Sequence, residues 1–245
     1  MLIDVIGSVT TFEKQMVGAL VAADFRTTDV FTQYGIDYCC GGQKTIGQAC
    51  AELGIHLETL MEKVTQAIQN SPLSEQFNHW TLDLLSDYIV KQHHRYAKNI
   101  IPRISVLMKT VIETHGKKHP ELRAVGAIWQ VISEDLVMHM QKEELTVFPY
   151  IRLLIQSTEK DVSIPPPVFG SVAELIYLME EEHQLTGDQL VTLAELSNGF
   201  TPPADACNTY QILYTYLADF QAMTKMHVYL ENNILFPKAI ALEKE

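Results

Sequence analysis

Two motifs of the same design stand out in this sequence, each pairing a histidine with a glutamate four residues later. They are His139-x-x-x-Glu143 and His227-x-x-x-Glu231, and a Phe-Pro pair follows each glutamate after the same interval. Four residues along an α-helix advance about 6 Å and turn about 400°, so both side chains of a motif leave the helix on one face. Each motif can therefore offer one imidazole and one carboxylate to a shared metal ion.

A further histidine precedes each motif at a similar distance. His93 lies 46 residues before His139, and His183 lies 44 residues before His227, which indicates two helical hairpins of one design. His93 continues an apolar stripe, whereas the neighbouring His94 lies about 100° away from it, so His93 is the better candidate ligand. Six polar residues thus interrupt apolar stripes and are expected to meet inside a helical bundle: His93, His139, Glu143, His183, His227 and Glu231.

These six residues favour a metal centre over a set of ordinary core residues. A buried histidine, taken alone, is more often a satisfied core residue than a ligand, but buried carboxylates without partners are costly. Four imidazoles and two carboxylates suit iron, manganese or zinc, and carboxylate-bridged pairs within helical bundles favour iron or manganese. We therefore expect two iron ions, with Glu143 and Glu231 able to bridge them and open positions for a small ligand. Manganese or zinc in one position stays open.

Four long helices must position these residues, because apolar residues recur every three or four positions in four segments. The segments run from about Thr81 to Glu113, Pro120 to Gln156, Val168 to Ser197 and Ala204 to Leu242. Their short connections predict an antiparallel four-helix bundle over residues 78–245. Residues 1–72 instead predict a small N-terminal domain of short helices broken by glycine, with a polar linker around Asn70-Ser71-Pro72. The predicted fold class is all-α.

The bulk composition narrows the possible functions. A formal net charge of −12 disfavours binding to nucleic acids or anionic membranes. The sequence contains no run of 18 apolar residues, so no transmembrane helix is expected. The N-terminus lacks the basic and apolar stretches of a secretion signal, so none is expected. The four cysteines form no disulfide-scaffold pattern, so a reducing cytoplasm is the expected compartment.

Several longer stretches resemble one bacterial family. Residues 31–42, Phe-Thr-Gln-Tyr-Gly-Ile-Asp-Tyr-Cys-Cys-Gly-Gly, resemble the N-terminal signature of the iron–sulfur cluster repair di-iron proteins, the repair of iron centres family, which have a hemerythrin-like domain. The stretches 139–149 and 227–237 resemble that family's two ligand helices, and Glu180-Glu-Glu-His183 resembles its third-helix ligand site. The resemblance extends from about Val17 to the end of the chain.

This resemblance implies a hemerythrin-like bundle, the six ligands named above and two iron ions joined by oxo and carboxylate bridges. It also implies a role in restoring iron–sulfur clusters damaged by nitric oxide or peroxide, with the bundle as a source of labile iron. Glu182 and Asp135 stand where the family has carboxylates that help iron move, Asp135 with a shorter side chain. Tyr96 stands where family members have a second histidine, a departure that could change redox behaviour or ligand access.

The adjacent cysteines Cys39 and Cys40 lie in a glycine-rich turn. A disulfide between neighbours would be strained, so both are expected to be free thiols. They are either buried structural cysteines or a thiolate pair that receives or passes iron or electrons, since thiolates are soft iron ligands. The family signature favours the second interpretation.

The leading hypothesis is a cytoplasmic di-iron protein that donates iron to damaged iron–sulfur proteins, and it describes a repair protein more than an ordinary enzyme. Two alternatives stay open. One is a hemerythrin-like module that binds or senses oxygen or nitric oxide, and the other is a di-iron reductase of nitric oxide or peroxide. A homodimer formed through the N-terminal part is a further expectation.

Overall fold

The computed structural model describes residues 8–70, 77–160 and 170–244. Within these ranges the chain is helical and contains no β-strand, which confirms the all-α fold class. In the same residues, no helix combines the length and the apolar character needed to cross a membrane. The chain divides into two compact units, one of Met1–Leu85 and Val228–Lys238, the other of Ser86–His227 and Ala239–Glu245. Ser71 and Pro72 of the predicted linker lie outside the described residues.

The N-terminal unit consists mainly of short helices, as the glycine-rich sequence predicts. They are α1 (Val9–Lys14), α2 (Val17–Ala23), α3 (Thr28–Gln33), α4 (Ile46–Leu53) and α5 (Leu57–Asn70). Helix α4 shows why they stay short. Thr45 and Gln48 form a capping box at its start, and Gly54 ends it with a left-handed φ of 66°. This small helical N-terminal region is confirmed.

The remaining helices form the four long runs predicted from the apolar periodicity. They are α6 (Leu82–Tyr88), α7 (Arg95–His115), α8 (Leu122–Lys142), α9 (Phe148–Lys160), α10 (Val172–Leu196), α11 (Asn208–Leu230) and α12 (Phe236–Glu243). Three π-helical segments join successive helices into continuous runs: Ile89–His94, Glu143–Val147 and Glu231–Leu235. In the larger unit, α8 packs against both α7 and α10.

The core of the larger unit is a continuous apolar layer contributed by α7, α8, α10 and α11. Trp129 on α8 packs edge-on against Phe220 on α11, with ring centroids 4.9 Å apart. The Trp129 indole N–H donates to Ser105 Oγ at 3.0 Å, so its polar atom is satisfied inside the layer. This packing holds the helices in fixed register and thereby positions the polar residues that border the layer on each helix.

Candidate metal centre

Four imidazoles meet in two pairs inside the larger unit. In the first pair, the Nε2 atoms of His139 on α8 and His183 on α10 lie 2.8 Å apart. In the second pair, the Nε2 atoms of His94 and His227 lie 3.2 Å apart. All four side chains are buried. Since Nε2 is a common metal-binding atom of histidine, each pair aims two such atoms at one point.

The carboxylate of Glu143 faces both pairs, one oxygen toward each. Its Oε1 lies 3.0 Å from Nε2 of His139 and 3.9 Å from Nε2 of His183. Its Oε2 lies 3.3 Å from Nε2 of His94 and 3.6 Å from Nε2 of His227. The carboxylate of Glu143 is thus close to both imidazole pairs and is common to the donor sets of both.

The environment of Glu143 tests whether these residues fit a metal centre. The side chain is completely buried, and neither oxygen has a hydrogen bond of good geometry within the described part of the chain. Burial by itself raises the pKa of Glu143, but the imidazoles of His139, His227 and His94 outweigh it and keep the pKa well below its usual value. A buried carboxylate held as an anion among imidazoles, without a proper donor, fits metal cations.

The donor atoms form two overlapping groups in the larger unit, each compact enough for one ion. One group contains His139, Glu143 and His183, and the other contains His94, Glu143 and His227, with all ligand atoms of a group within 4.8 Å of one another. Nitrogen and oxygen donors of this kind suit iron, as the sequence predicts.

The first-helix histidine differs from the one that the sequence predicts. His94, not His93, belongs to these groups. The prediction assumed an unbroken α-helix, but Ile89–His94 is π-helical, and one extra residue in a turn rotates the following positions by about 100°. His93 is also buried, with Nδ1 3.3 Å from the Met223 carbonyl oxygen and its ring 6.0 Å from that of His227.

Two glutamates outside the groups hold the histidines in position. Nδ1 of His139 lies 2.8 Å from Glu182 Oε2, and Glu182 also pairs with Lys142. The hydrogen bond with His139 is the main reason that the pKa of Glu182 falls to about 2. A carboxylate that accepts the Nδ1 proton leaves the Nε2 lone pair free for a metal.

The second pair has a matching arrangement that the sequence analysis missed. Nδ1 of His94 lies 2.7 Å from Glu144 Oε1, and the Lys98 ammonium donates to the same oxygen at 2.7 Å. Burial works against ionisation, but the hydrogen bonds from Lys98 and His94 lower the pKa of Glu144 overall. Glu144 is visible in the sequence directly after Glu143, but its role as a partner of a histidine becomes apparent only from its contact with His94 in the structure.

The two remaining carboxylates of the prediction lie in different surroundings. Asp135 is exposed and accepts a hydrogen bond from Gln189 Nε2 at 3.3 Å, and it belongs to neither group. Glu231 is completely buried, follows His227 by four residues and begins the π-helical segment Glu231–Leu235.

Both motif copies share this π-helical feature. In each copy the π segment begins at the motif glutamate and ends directly before the Phe-Pro pair. Proline lacks an N–H group and its ring clashes with the carbonyl four residues earlier, so the α-helical hydrogen-bond pattern cannot continue through Pro149 or Pro237. The repeated Phe-Pro pair is therefore a local cause of the repeated π segment.

Three residues singled out in the sequence remain to be placed: Tyr96, which differs from the family pattern, and the adjacent cysteines Cys39 and Cys40. Tyr96 on α7 is half-buried, and burial raises its pKa. Cys39 and Cys40 are free thiols, the first buried and the second partly exposed. The hydrogen bond with Cys40, then burial and the Asp37 carboxylate, raise the pKa of Cys39 well above its usual value.

The fold and the buried histidine–glutamate cluster are those of a cation-binding helical bundle. Residues 85–239 match the model of the hemerythrin HHE cation-binding domain, and the chain belongs to this family. Residues 13–68 match a second model, ScdA_N, described as a domain of unknown function, DUF542.

Over most of its length the chain is a homologue of proteins named iron-sulfur cluster repair protein YtfE. Such relatives come from Yersinia pestis (strain Pestoides F), Yersinia pestis bv. Antiqua (strain Angola) and Yersinia pseudotuberculosis serotype O:3 (strain YPIII). Each is 34% identical over 230 residues, which cover 94% of this chain and 98% of the relative. The family predicted from the sequence is thus confirmed.

Proposed function

We propose that this protein repairs iron–sulfur clusters damaged by nitrosative or oxidative stress, and that it does so by holding two iron ions and donating iron to the damaged protein. The observation that carries the proposal is the carboxylate of Glu143, which directs one oxygen to each of two buried imidazole pairs. The proposed ligands are His94 in place of His93, with His139, Glu143, His183, His227 and Glu231.

Glu231 is proposed as the second bridging carboxylate. The support is its complete burial, its position four residues after His227 and its place in the same repeat as Glu143. When bound, the two ions would supply labile iron and open positions for a small ligand such as nitric oxide or oxygen. The residues of the chain hold the imidazoles in one tautomer and exclude water from the donors.

Transfer of iron requires groups that lead away from the buried donors. Glu182 contacts His139 and is about one-third exposed, so it connects a ligand with the surface. Asp135 lies one helical turn before His139 and is exposed. We propose that these carboxylates, and the thiols of Cys39 and Cys40, guide iron toward a client protein. A cytoplasmic location, where thiols stay reduced, belongs to the same proposal.

The decisive experiment combines iron content with repair. The variant Glu143→Gln keeps the size of the side chain but removes the charge that would neutralise two cations. We expect it to lose most of its iron and, in parallel, its ability to reactivate a dehydratase whose [4Fe–4S] cluster has been damaged by nitric oxide. Glu181→Gln, an exposed change on α10, is the matched control and should keep both properties.

Three other outcomes would reject or replace the proposal. Repair that survives in iron-free Glu143→Gln protein would reject iron donation. Loss of nitric oxide or peroxide over many turnovers, with a supplied electron donor and without loss of iron, would favour the reductase. Reversible oxygen binding without transfer of iron would favour the carrier or sensor.

A further inference from the structure

A further group of potential metal ligands, separate from the two groups of the larger unit, lies in the N-terminal unit within one turn of the chain. The carboxylate of Asp37 and the sulfur atoms of Cys39 and Cys40 lie within 4.8 Å of one another. Cys39 Sγ is 3.0 Å from Asp37 Oδ1 and donates to it. Asp37 is exposed and Cys40 is partly exposed, so the group is accessible to a cation or to another protein.

Backbone hydrogen bonds hold this turn in shape. Asp37 Oδ1 accepts the N–H groups of Cys39 at 2.9 Å and Cys40 at 3.2 Å, and Oδ2 accepts the N–H of Gly41 at 2.9 Å. A carboxylate offers about four lone-pair sites, so Oδ2 keeps capacity for one further partner. The carboxylate is therefore fixed by the backbone and still able to bind a cation.

Asn233 anchors the same turn from a distant part of the chain. Its side-chain amide donates to the carbonyl oxygens of Cys39 at 3.2 Å and Tyr38 at 3.4 Å. A Cβ atom at Gly18 or Gly42 would lie only 2.0 Å or 2.4 Å from Asn233 Oδ1, so both positions need glycine for this approach. Asn233 lies in the π segment that begins with Glu231. Hydrogen bonds from Asn233 therefore connect the turn that carries the thiols with the segment that carries the proposed iron ligand Glu231.

We propose that Asp37, Cys39 and Cys40 form a binding site for one thiophilic divalent cation. The identity of the cation rests on the proposed function: it is a single ferrous ion that is being transferred to a client protein. Binding of the cation would release the two thiol protons to solvent, with no change of oxidation state. Two thiolates and one carboxylate suit a tetrahedral ion, and they leave a fourth position for a ligand from the client.

Cobalt(II) tests the site because its bond to a thiolate absorbs in the near ultraviolet. The proposed ligands of the bundle are nitrogen and oxygen only, so such a band reports on cysteine alone. Full-length, iron-loaded protein would be titrated with cobalt(II) in the absence of oxygen. We expect one cobalt per chain with a thiolate band.

The variants Cys39→Ser, Cys40→Ser and Asp37→Asn identify the ligands. Each cysteine change should weaken cobalt binding more than about 100-fold, because loss of even an outer partner costs about 10–100-fold in affinity. Cys50→Ser and Cys207→Ser, which change cysteines outside the group, should bind as the parent does. Iron content shows that each variant is folded, and Cys40→Ser, at the more exposed position, is the variant least expected to disturb folding.

The outcomes separate this inference from the proposed function. The site does not exist if the parent shows no thiolate band, or if the band survives in the Cys39→Ser, Cys40→Ser double variant. If the band is absent while repair still needs Glu143, the inference fails and iron donation stands. If the band is present but the double variant repairs clusters as well as the parent, the site exists and its role in transit is rejected.

Discussion

The outer glutamates Glu144 and Glu182 offer a direct test of the two-pair arrangement. Each accepts the Nδ1 proton of one histidine, and the two histidines belong to different imidazole pairs. Replacing either glutamate by glutamine keeps a hydrogen-bond acceptor but removes the negative charge behind the ring. The neutral acceptor supports the imidazole less well, so the iron ion proposed for that pair should bind more weakly.

The expected size follows from the kind of contact that is lost. Changes to outer partners of metal-bound histidines lower metal affinity by about 10–100-fold, or about 1.4–2.8 kcal/mol. Because glutamine keeps an acceptor, we expect about tenfold for Glu144→Gln and for Glu182→Gln. Alanine, which removes the acceptor as well, should approach about 100-fold.

The assay is competition with a ferrous chelator, with iron per chain measured after the chelator is removed. Glu144→Gln and Glu182→Gln should each release about one ion at a chelator concentration where the parent keeps both. The double variant should release both. The matched control is Glu181→Gln, an exposed glutamate beside Glu182.

Two results would refute this reasoning. If both single variants lost iron only at the chelator concentration at which the parent also loses it, the outer carboxylates would not support the ligands. Simultaneous release of both ions in each single variant would show that the imidazole pairs do not hold separate ions.

Three further predictions address the ligand assignment, a surface thiol and the core. His94→Gln should lower iron to about one ion per chain while His93→Gln keeps both, and the opposite result in metal analysis would restore the sequence assignment. A hydrogen bond from the backbone N–H of Tyr210 is the main cause that lowers the pKa of Cys207 to about 7. The rate at which Cys207 reacts with an aromatic disulfide should therefore rise about tenfold per pH unit below pH 7 and level off above it. A rate that continues to rise up to pH 9 would contradict this. Phe220→Ala should lower the free energy of unfolding by about 3–5 kcal/mol in denaturant titration, because the ring is completely buried against Trp129, whereas a loss below about 1 kcal/mol would show that the layer repacks.

Much of the bundle was predictable because its signals are local. Helical periodicity places residues four apart on one face, so the pairs His139/Glu143 and His227/Glu231 follow from spacing alone. The apolar stripes identify the buried face of each helix, and the structure buries all four of these side chains. The chemistry of the donors follows from residue type, which is why iron could be inferred before any distance was known.

Tertiary structure decided which imidazoles lie close together and which carboxylates contact their Nδ1 atoms. The contacts His94–Glu144 and His139–Glu182 join residues 50 and 43 positions apart, and no local pattern predicts such pairs. The choice of His94 over His93 depends on the π-helical turn of Ile89–His94, where one added residue moves the ligand face by about 100°. Periodicity describes an uninterrupted helix, whereas the position of a π turn depends on how that helix packs against its neighbours.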